Sequence, residues 1–174
     1  MKILKIEASG IPLFSKKCEI DFLAQQRVTF EGAEKMNCIF SKGETRFYQN
    51  NVVSFIGINA SGKTTILKLI AFVCGLLNNE PINTIDCSEI FDDLTDYNQS
   101  VFDTYFYADN DTVNLLHTVI TRNGQKLIIA YETLKSKPIS KIKNKKTLFD
   151  FDNVEMCLSR VVNNDFLLDD VSIM

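Results

Sequence analysis

The sequence predicts an α/β fold, and three observations support that prediction. An apolar run at residues 52–56 enters a glycine-containing loop, and a helical run at residues 65–77 leaves it. Before the loop lie two β-rich runs joined by a glycine–proline turn, and after the helix lie three more β-rich runs. One long helix among many strands is typical of a sheet that packs against a helix.

Two strands joined by a turn are predicted at the start of the chain, at residues 2–8 and 17–23. The turn signal between them is Gly10-Ile11-Pro12, since glycine and proline interrupt regular structure. Further strands are predicted at Arg27 to Glu31 and at Asn37 to Phe40. The N-terminal part is therefore expected to be rich in β-structure.

The run Val52-Val53-Ser54-Phe55-Ile56 is predicted to be the central strand of the sheet. It is short, continuous and β-branched at its start, as in strands that are covered on both faces. Thr65 to Leu77 has apolar residues at spacings of three and four, which predicts an amphipathic helix. Gly75, Asn78 and Pro81 mark the end of that helix.

The loop between this strand and this helix is Gly57-Ile58-Asn59-Ala60-Ser61-Gly62-Lys63-Thr64. A glycine, four residues and then Gly-Lys-Thr is the Walker A spacing of a phosphate-binding P-loop, whose required context is a strand before it and a helix after it. Gly57 and Gly62 let backbone N–H groups approach phosphate oxygens, and the helix start adds the positive end of its dipole. The alternative interpretation is a glycine-containing turn that happens to hold a lysine.

Within this loop, Lys63 is expected to reach the β- and γ-phosphates, and the Thr64 hydroxyl to coordinate Mg²⁺. ATP is preferred over GTP because the chain has no Asn-Lys-x-Asp element, and Asn144-Lys145-Lys146 lacks the aspartate. Phe14 or Tyr48 is a candidate to stack on the base. The residues predicted to bind the nucleotide are Gly57, Asn59, Ala60, Ser61, Gly62, Lys63, Thr64 and Thr65.

An antiparallel β-meander is predicted after the helix, from runs at Phe102–Ala108, Val113–Thr121 and Gln125–Leu134. The second turn contains Asn123-Gly124, which is a strong hairpin signal. The acidic segment before the meander has no calcium-loop spacing, so a short solvated helix at Ser88–Asp96 is expected.

Six lysines in Lys135–Lys146 predict a solvated mobile loop, with contact to nucleic-acid phosphates as the alternative. By length the chain is one domain, 1–174. Residues 1–82 hold the N-terminal strands, loop and helix, and residues 83–134 hold the acidic segment and the meander. Residues 135–146 are the lysine-rich loop, and residues 147–174 are the start of a C-terminal part that we expect to be incomplete.

The form Gly-Ile-Asn-Ala-Ser-Gly-Lys-Thr-Thr, from Gly57 to Thr65, resembles the Walker A motif of ABC-type ATPase heads. Such heads occur in SMC-like repair proteins and in AAA-like ATPases of the OLD and abortive-infection type. Met1 to Phe22 is similar to their N-terminal hairpin, and Tyr105 to Leu134 is similar to their β-arm. The resemblance implies a P-loop NTPase fold and the N-terminal lobe of a head. It also implies that two heads pair around ATP in the full-length form and drive an effector protein or act on nucleic acid, in DNA repair or phage defence.

Hydrolysis requires carboxylates that this chain does not clearly supply. Glu132 ends an apolar run that belongs to the meander, and Asp169-Asp170 follows only three apolar residues. Leu158-Ser159-Arg160 lacks the glycines of the family's signature motif. Gln99 is the nearest counterpart of the glutamine that often follows the P-loop helix in these heads. We therefore expect ATP to be bound, and hydrolysed only by a complete head.

Other interpretations stay open, among them a non-catalytic scaffold or interaction protein that retains the P-loop as a structural element. A nucleotide kinase is less favoured, because about fifty residues of β-structure precede the loop. The net charge of -3 (19 minus 22) is not that of an overall basic nucleic-acid binder. Scattered cysteines, a single structural histidine at position 117 and the absence of a long apolar run predict a cytoplasmic protein without a membrane segment.

Overall fold

The computed structural model describes most of the chain. The described residues are 1–12, 14, 16–24, 28, 30–34, 36–43, 45–59, 61–92, 94, 98–161 and 168–174.

The described residues form strands, three α-helices and short 3₁₀ turns. The strands are β1 Lys2–Ser9, β2 Cys18–Asp21, β3 Asn37–Lys42, β4 Thr45–Gln49, β5 Ser100–Ala108, β6 Thr112–Asn123, β7 Lys126–Pro138 and β8 Met156–Ser159. The helices are α1 Phe30–Ala33, α2 Lys63–Leu77 and α3 Lys145–Phe149, and the 3₁₀ turns are Ile82–Thr84, Ser88–Phe91 and Ile139–Lys141. None of these helices is long and apolar enough to cross a bilayer.

The main sheet has six strands in the order β2-β1-β5-β6-β7-β8, and every neighbouring pair is antiparallel. β3 and β4 form a separate antiparallel hairpin. The predicted opening pair of strands and the predicted meander are therefore both confirmed. The chain combines helices with a mostly antiparallel sheet, which confirms the prediction of a fold that contains both α-helices and β-strands.

One face of the main sheet is covered by α2. Phe72 of this helix contacts Phe91 and Phe102, with ring centroids 5.0 and 5.1 Å apart. These three side chains are almost fully buried in the larger hydrophobic core, together with Leu69 and Leu76 from the same helix. Each such side chain contributes about 1.5–3 kcal/mol of transfer free energy, so this contact is a major stabilising element of the fold.

The opposite face of the sheet is covered in part by the β3–β4 hairpin and by α3. Phe40 and Phe47 of the hairpin stack with ring centroids 4.6 Å apart. Tyr105 on β5 contacts Phe149 and Phe151 around α3, at 5.0 and 5.9 Å. This second, smaller core binds the two peripheral elements to the sheet.

The predicted central strand at residues 52–56 is wrong, because no ladder pairs with this run in the described residues. Val52, Ile56 and Ile58 are 81%, 96% and 84% exposed. A central strand needs a hydrogen-bonded neighbour on each edge, and the antiparallel sheet already pairs β1 with β5. The run therefore leads to α2 as mostly exposed chain without regular secondary structure, in which Phe55 packs against the larger core.

Two other local predictions also need correction. The predicted strand at Arg27–Glu31 is wrong at its C-terminal end, where the short helix α1 begins at Phe30, and Arg27 lies outside the described residues. The predicted helix at Ser88–Asp96 is shorter, since a 3₁₀ turn spans Ser88–Phe91 and Asp96 lies outside the described part.

The lysine-rich segment 135–146 is not a loop throughout, although four of its lysines are exposed as predicted: Lys141, Lys143, Lys145 and Lys146. β7 continues to Pro138, and Asn144 caps α3 through a reciprocal capping box with Thr147. The Lys137 amine is buried and donates to the carbonyls of Thr147 and Asp150, each at 2.6 Å. The final carbonyls of a helix lack intrahelical donors, so a lysine that supplies them orders both segments.

Other lysines of this region have the same structural use. Lys135 donates to the carbonyl of Phe151 at 3.1 Å, and Lys145 donates to the carbonyl of Ala24. Lys42 of β3 donates to the carbonyls of Ser140 and Ile142. These four lysines, including Lys137, join the hairpin and α3 to the sheet.

The tight approach of Gly10 to β5 yields a first prediction. Gly10 has φ +72°, and an added Cβ would lie within 3.2 Å of the Gln99 carbonyl carbon and of the Ser100 Cα. We expect Gly10→Ala to lower the free energy of unfolding by about 2–4 kcal/mol, from left-handed strain together with this backbone clash. The matched control is Gly124→Ala, where φ is +61° but no atom lies within 4 Å, so only strain of about 1 kcal/mol is expected. Equal losses in urea unfolding would contradict the clash.

The buried Lys137 yields a second prediction, on pH. Burial lowers the pKa of Lys137 from 10.5 to about 8, although the Asp150 carboxylate acts in the opposite direction. Between these two values the unfolded chain binds more protons than the folded chain, so the free energy of unfolding rises with pH. We expect the wild type to gain roughly 2–3 kcal/mol over Lys137→Met between pH 8 and 10.5. A constant difference between the two proteins in urea unfolding across this range would show that Lys137 does not titrate there.

Candidate functional site

The predicted phosphate-binding loop lies directly before α2, which begins at Lys63. Gly62 is the residue before the helix, with φ +84° and ψ 12° in the left-handed region. An added Cβ at Gly62 would lie 3.3 Å from the Phe14 ring, and one at Gly57 would lie 2.5 Å from Ser61 Oγ. Gly62 is therefore favoured by its left-handed backbone, whereas a side chain at Gly57 would require the Ser61 side chain to move.

Lys63 folds back across this loop. Its amine donates to the carbonyls of Gly57 at 2.8 Å and of Ile58 at 2.6 Å, and lies 3.4 Å from Ser61 Oγ. The backbone N–H of Ser61 donates to Ile58 O at 3.3 Å, which closes the turn. The described residues of the motif thus form a compact loop, and the positive charge of Lys63 lies against its carbonyls.

The first turn of α2 adds to this positive character. It has no acidic residue and no side-chain cap, so no carboxylate neutralises the helix N-terminus. The first N–H groups of any α-helix lack intrahelical acceptors and carry the positive end of the helix dipole. A loop lysine and an uncapped helix start together favour an anion of phosphate size.

The predicted site residues lie together in this loop and the first turn of the helix. Asn59, Ser61 and Thr64 are exposed, whereas Lys63 and Thr65 are half-buried. Ala60, which the sequence also predicts, lies outside the described residues. The Thr64 hydroxyl is accessible to a metal ion, and within the described part of the chain no group of three or more metal-ligating side chains surrounds it.

Glu132 lies on β7 and is fully buried, with 0% of its surface exposed. Its carboxylate accepts hydrogen bonds from Thr118 Oγ1 at 2.8 Å, Ser172 Oγ at 3.1 Å and the Ile173 N–H at 2.7 Å. Burial raises the pKa of Glu132, while these donors and Arg160 act in the opposite direction. A carboxylate with these contacts serves structure and is not free to bind Mg²⁺ or a water.

Asp169 and Asp170 lie at the far end of α2 from the loop. The backbone N–H of Ile82, which follows the C-terminus of this helix, donates to the Asp170 carbonyl at 2.8 Å. Asn83 contacts the Asp170 carboxylate at 3.3 Å. A 15-residue helix is about 22 Å long, so these carboxylates are far from Lys63.

The remaining candidate residues lie on separate elements of the structure. Gln99 lies beside Gly10, in the segment that leads to Phe14, and the Phe14 ring approaches Gly62. Tyr48 lies on β4 opposite Cys38, in the separate hairpin. Leu158 and Ser159 belong to β8, and Arg160 follows them as a buried ion-pair partner of Glu132 at 3.7 Å.

One pair of polar residues on the sheet was not predicted from the sequence. His117 was expected to be structural, and its Nδ1 lies 2.6 Å from Asp103 Oδ1 on the neighbouring strand. The Tyr131 ring contacts the imidazole edge-on, with centroids 5.9 Å apart. The sequence contains a signal for this pair. His117 and Asp103 are equally far along the chain from Asn110, the centre of the turn between β5 and β6, so they lie opposite each other in the hairpin.

Comparison with known proteins finds no relative for this arrangement. No protein-family model matches the chain, and no curated protein or solved structure matches it significantly. The functional conclusion therefore depends on the residues and geometry of the loop.

Proposed function

We propose that the chain binds ATP with Mg²⁺ at the loop from Gly57 to Thr65, as the N-terminal lobe of an ABC-type ATPase head of the SMC-like and AAA-like kind. The observation that carries this proposal is the position of the Lys63 amine. It lies 2.6–2.8 Å from two carbonyls of the loop, at the uncapped start of α2. A positive charge, unpaired backbone donors at the helix start and the neighbouring Thr64 are the groups that a triphosphate with Mg²⁺ needs, and they support this proposal.

Each residue of the loop has a distinct role in this proposal. Lys63 exchanges its carbonyl contacts for oxygens of the β- and γ-phosphates, and the N–H groups at the start of α2 donate to the same phosphates. Thr64 supplies one oxygen ligand to Mg²⁺, whose other ligands would be phosphate oxygens and waters. Phe14, which approaches Gly62, is the better placed of the two candidate aromatic residues for contact with the base.

The proposal is limited to binding for this chain. Glu132 is engaged in the sheet and Asp169 lies beyond the other end of α2, so neither is positioned to orient a water at the γ-phosphate. Hydrolysis then requires a complete, paired head, with an effector protein or nucleic acid as its target. Exposed apolar side chains beside the loop, at Ile56, Ile58 and Leu67, support a form in which further polypeptide covers this side. The five free cysteines support a reducing, cytoplasmic location.

A second candidate function is a scaffold that retains the loop as a structural element. The same lysine contacts favour it, because an amine that is satisfied by Gly57 and Ile58 stabilises the loop without a ligand. The two functions differ in what Lys63 is needed for. In the scaffold its removal destabilises the loop, whereas in the nucleotide site its removal abolishes binding.

The third prediction tests these alternatives with a fluorescent ATP analogue and Mg²⁺. We expect the wild type to bind and Lys63→Ala to lose at least about tenfold in affinity, because charge-assisted contacts to phosphate are lost. Phosphate release, followed in the same samples, is expected to be absent.

The matched control is Lys68→Ala, which removes the same charge from the same helix at a side chain paired with Glu89 at 2.6 Å. It should bind as the wild type does. Equal and weak signals from the wild type and Lys63→Ala would instead support the scaffold.

A further inference from the structure

Residues 168–174, here called the strap, lie between β7 and the C-terminal end of α2. On the sheet side, the Ile129 N–H donates to the Asp169 carbonyl at 2.7 Å. On the helix side, the Ile82 N–H donates to the Asp170 carbonyl at 2.8 Å, and Asn79 Nδ2 donates to the Met174 carbonyl at 2.6 Å. The strap therefore joins the helix to the sheet by backbone groups on both sides.

Glu132 is the anchor of the strap on the sheet. Its two oxygens accept from the Ser172 hydroxyl and from the Ile173 N–H, and Thr118 on the neighbouring strand holds the first of these oxygens. Ser172 is itself buried, and Ile173 packs into the core that contains α2. One fully buried carboxylate thus fixes both the position and the register of the strap.

Arg160 is a second side chain that holds the strap. Its guanidinium donates to the Leu168 carbonyl at 3.2 Å and to the Val171 carbonyl, and lies 3.7 Å from Glu132. Arg160 is only 4% exposed, and its Nε is buried without a partner. A buried ion pair of this kind is often no more stabilising than apolar residues of the same volume, so it is better explained by specificity of position.

The burial of α2 is uneven along its length. Its buried residues begin at Leu69 and concentrate at Phe72, Val73, Leu76 and Leu77, whereas Thr64 and Leu67 near its start are exposed. The helix is therefore attached mainly at the end where the strap lies. Because a helix is stiff, a shift at the attached end moves the loop at the other end.

We propose that Glu132 is a positioning residue for the nucleotide loop, which it controls through the strap and α2. This inference rests on the proposed function of the loop. When the strap is seated on Glu132, α2 is fixed against the sheet, and Lys63 and Thr64 are held where the phosphates bind. When the strap is released, the helix start loosens and the affinity for nucleotide falls. By thermodynamic reciprocity, nucleotide must then favour the seated strap by the same factor.

The test compares Glu132→Gln with Glu7→Gln by hydrogen exchange of backbone amides. Glu7 is a matched control, since it is a buried carboxylate on the same sheet that is paired with Lys5 and Lys17 away from the strap. Without nucleotide, we expect Glu132→Gln to speed exchange of the Ile173 amide and of the Ile66 amide, which donates to the Gly62 carbonyl in the first turn of α2, at least fivefold, while Glu7→Gln leaves α2 unchanged. Ser172→Ala removes the hydrogen bond to Glu132 and the one accepted from the Met174 N–H, but leaves the Ile173 N–H on Glu132. It should give a smaller change in the same direction and serves if Glu132→Gln does not fold.

A second arm adds the ATP analogue with Mg²⁺. We expect it to slow exchange of the Ile173 amide in the wild type, and Glu132→Gln to bind it at least about fivefold more weakly than Glu7→Gln does. Nucleotide binding by the wild type with unchanged exchange of Ile173 would overturn the inference alone. No binding by the wild type would overturn the proposed function, and the inference would fall with it. Faster exchange of Ile173 with no change in α2 would likewise overturn the proposed coupling.

Discussion

The packing of α2 against one face of the antiparallel sheet is the contact on which the rest of the structure depends. Phe72 lies against Phe91 and Phe102, and the larger core extends from this cluster to β1 and β6. The positions of the loop and of the strap both depend on where this helix lies. It begins at Lys63, directly after the loop that contains the two motif glycines, and its end lies beside the strap that Glu132 holds.

The sequence predicts the features that depend on local chemistry. The spacing of apolar residues predicts α2 almost to the residue, and Asn123-Gly124 predicts the hairpin between β6 and β7. The sequence predicts a tight loop before Lys63 from its two glycines, and Gly62 has the left-handed backbone conformation that glycine adopts most readily. In each of these cases, the residues on which the prediction depends belong to the element that is predicted.

What the sequence could not predict depends on partners that are distant along the chain. Residues 52–56 have the composition of a buried strand, but a strand exists only where a neighbour is available. The lysines of 135–146 were interpreted by their charge, whereas the structure uses Lys137 and Lys145 as donors to carbonyls of α3 and of Ala24. Glu132 was correctly assigned to the meander, but its buried contacts with Thr118 and Ser172 could not be predicted. Periodicity gives no information on such contacts.

The pairing of β1 with β5 has a consequence for the order in which the protein folds. β5, β6 and β7 are joined by short turns and can pair as soon as they are made, but β1 must wait for a partner about one hundred residues later in the chain. Until then it has only β2, and a two-stranded hairpin is marginal in water. During synthesis, the N-terminal strands and the loop before α2 therefore leave the ribosome well before the surface on which they come to rest, so this loop takes its final position late.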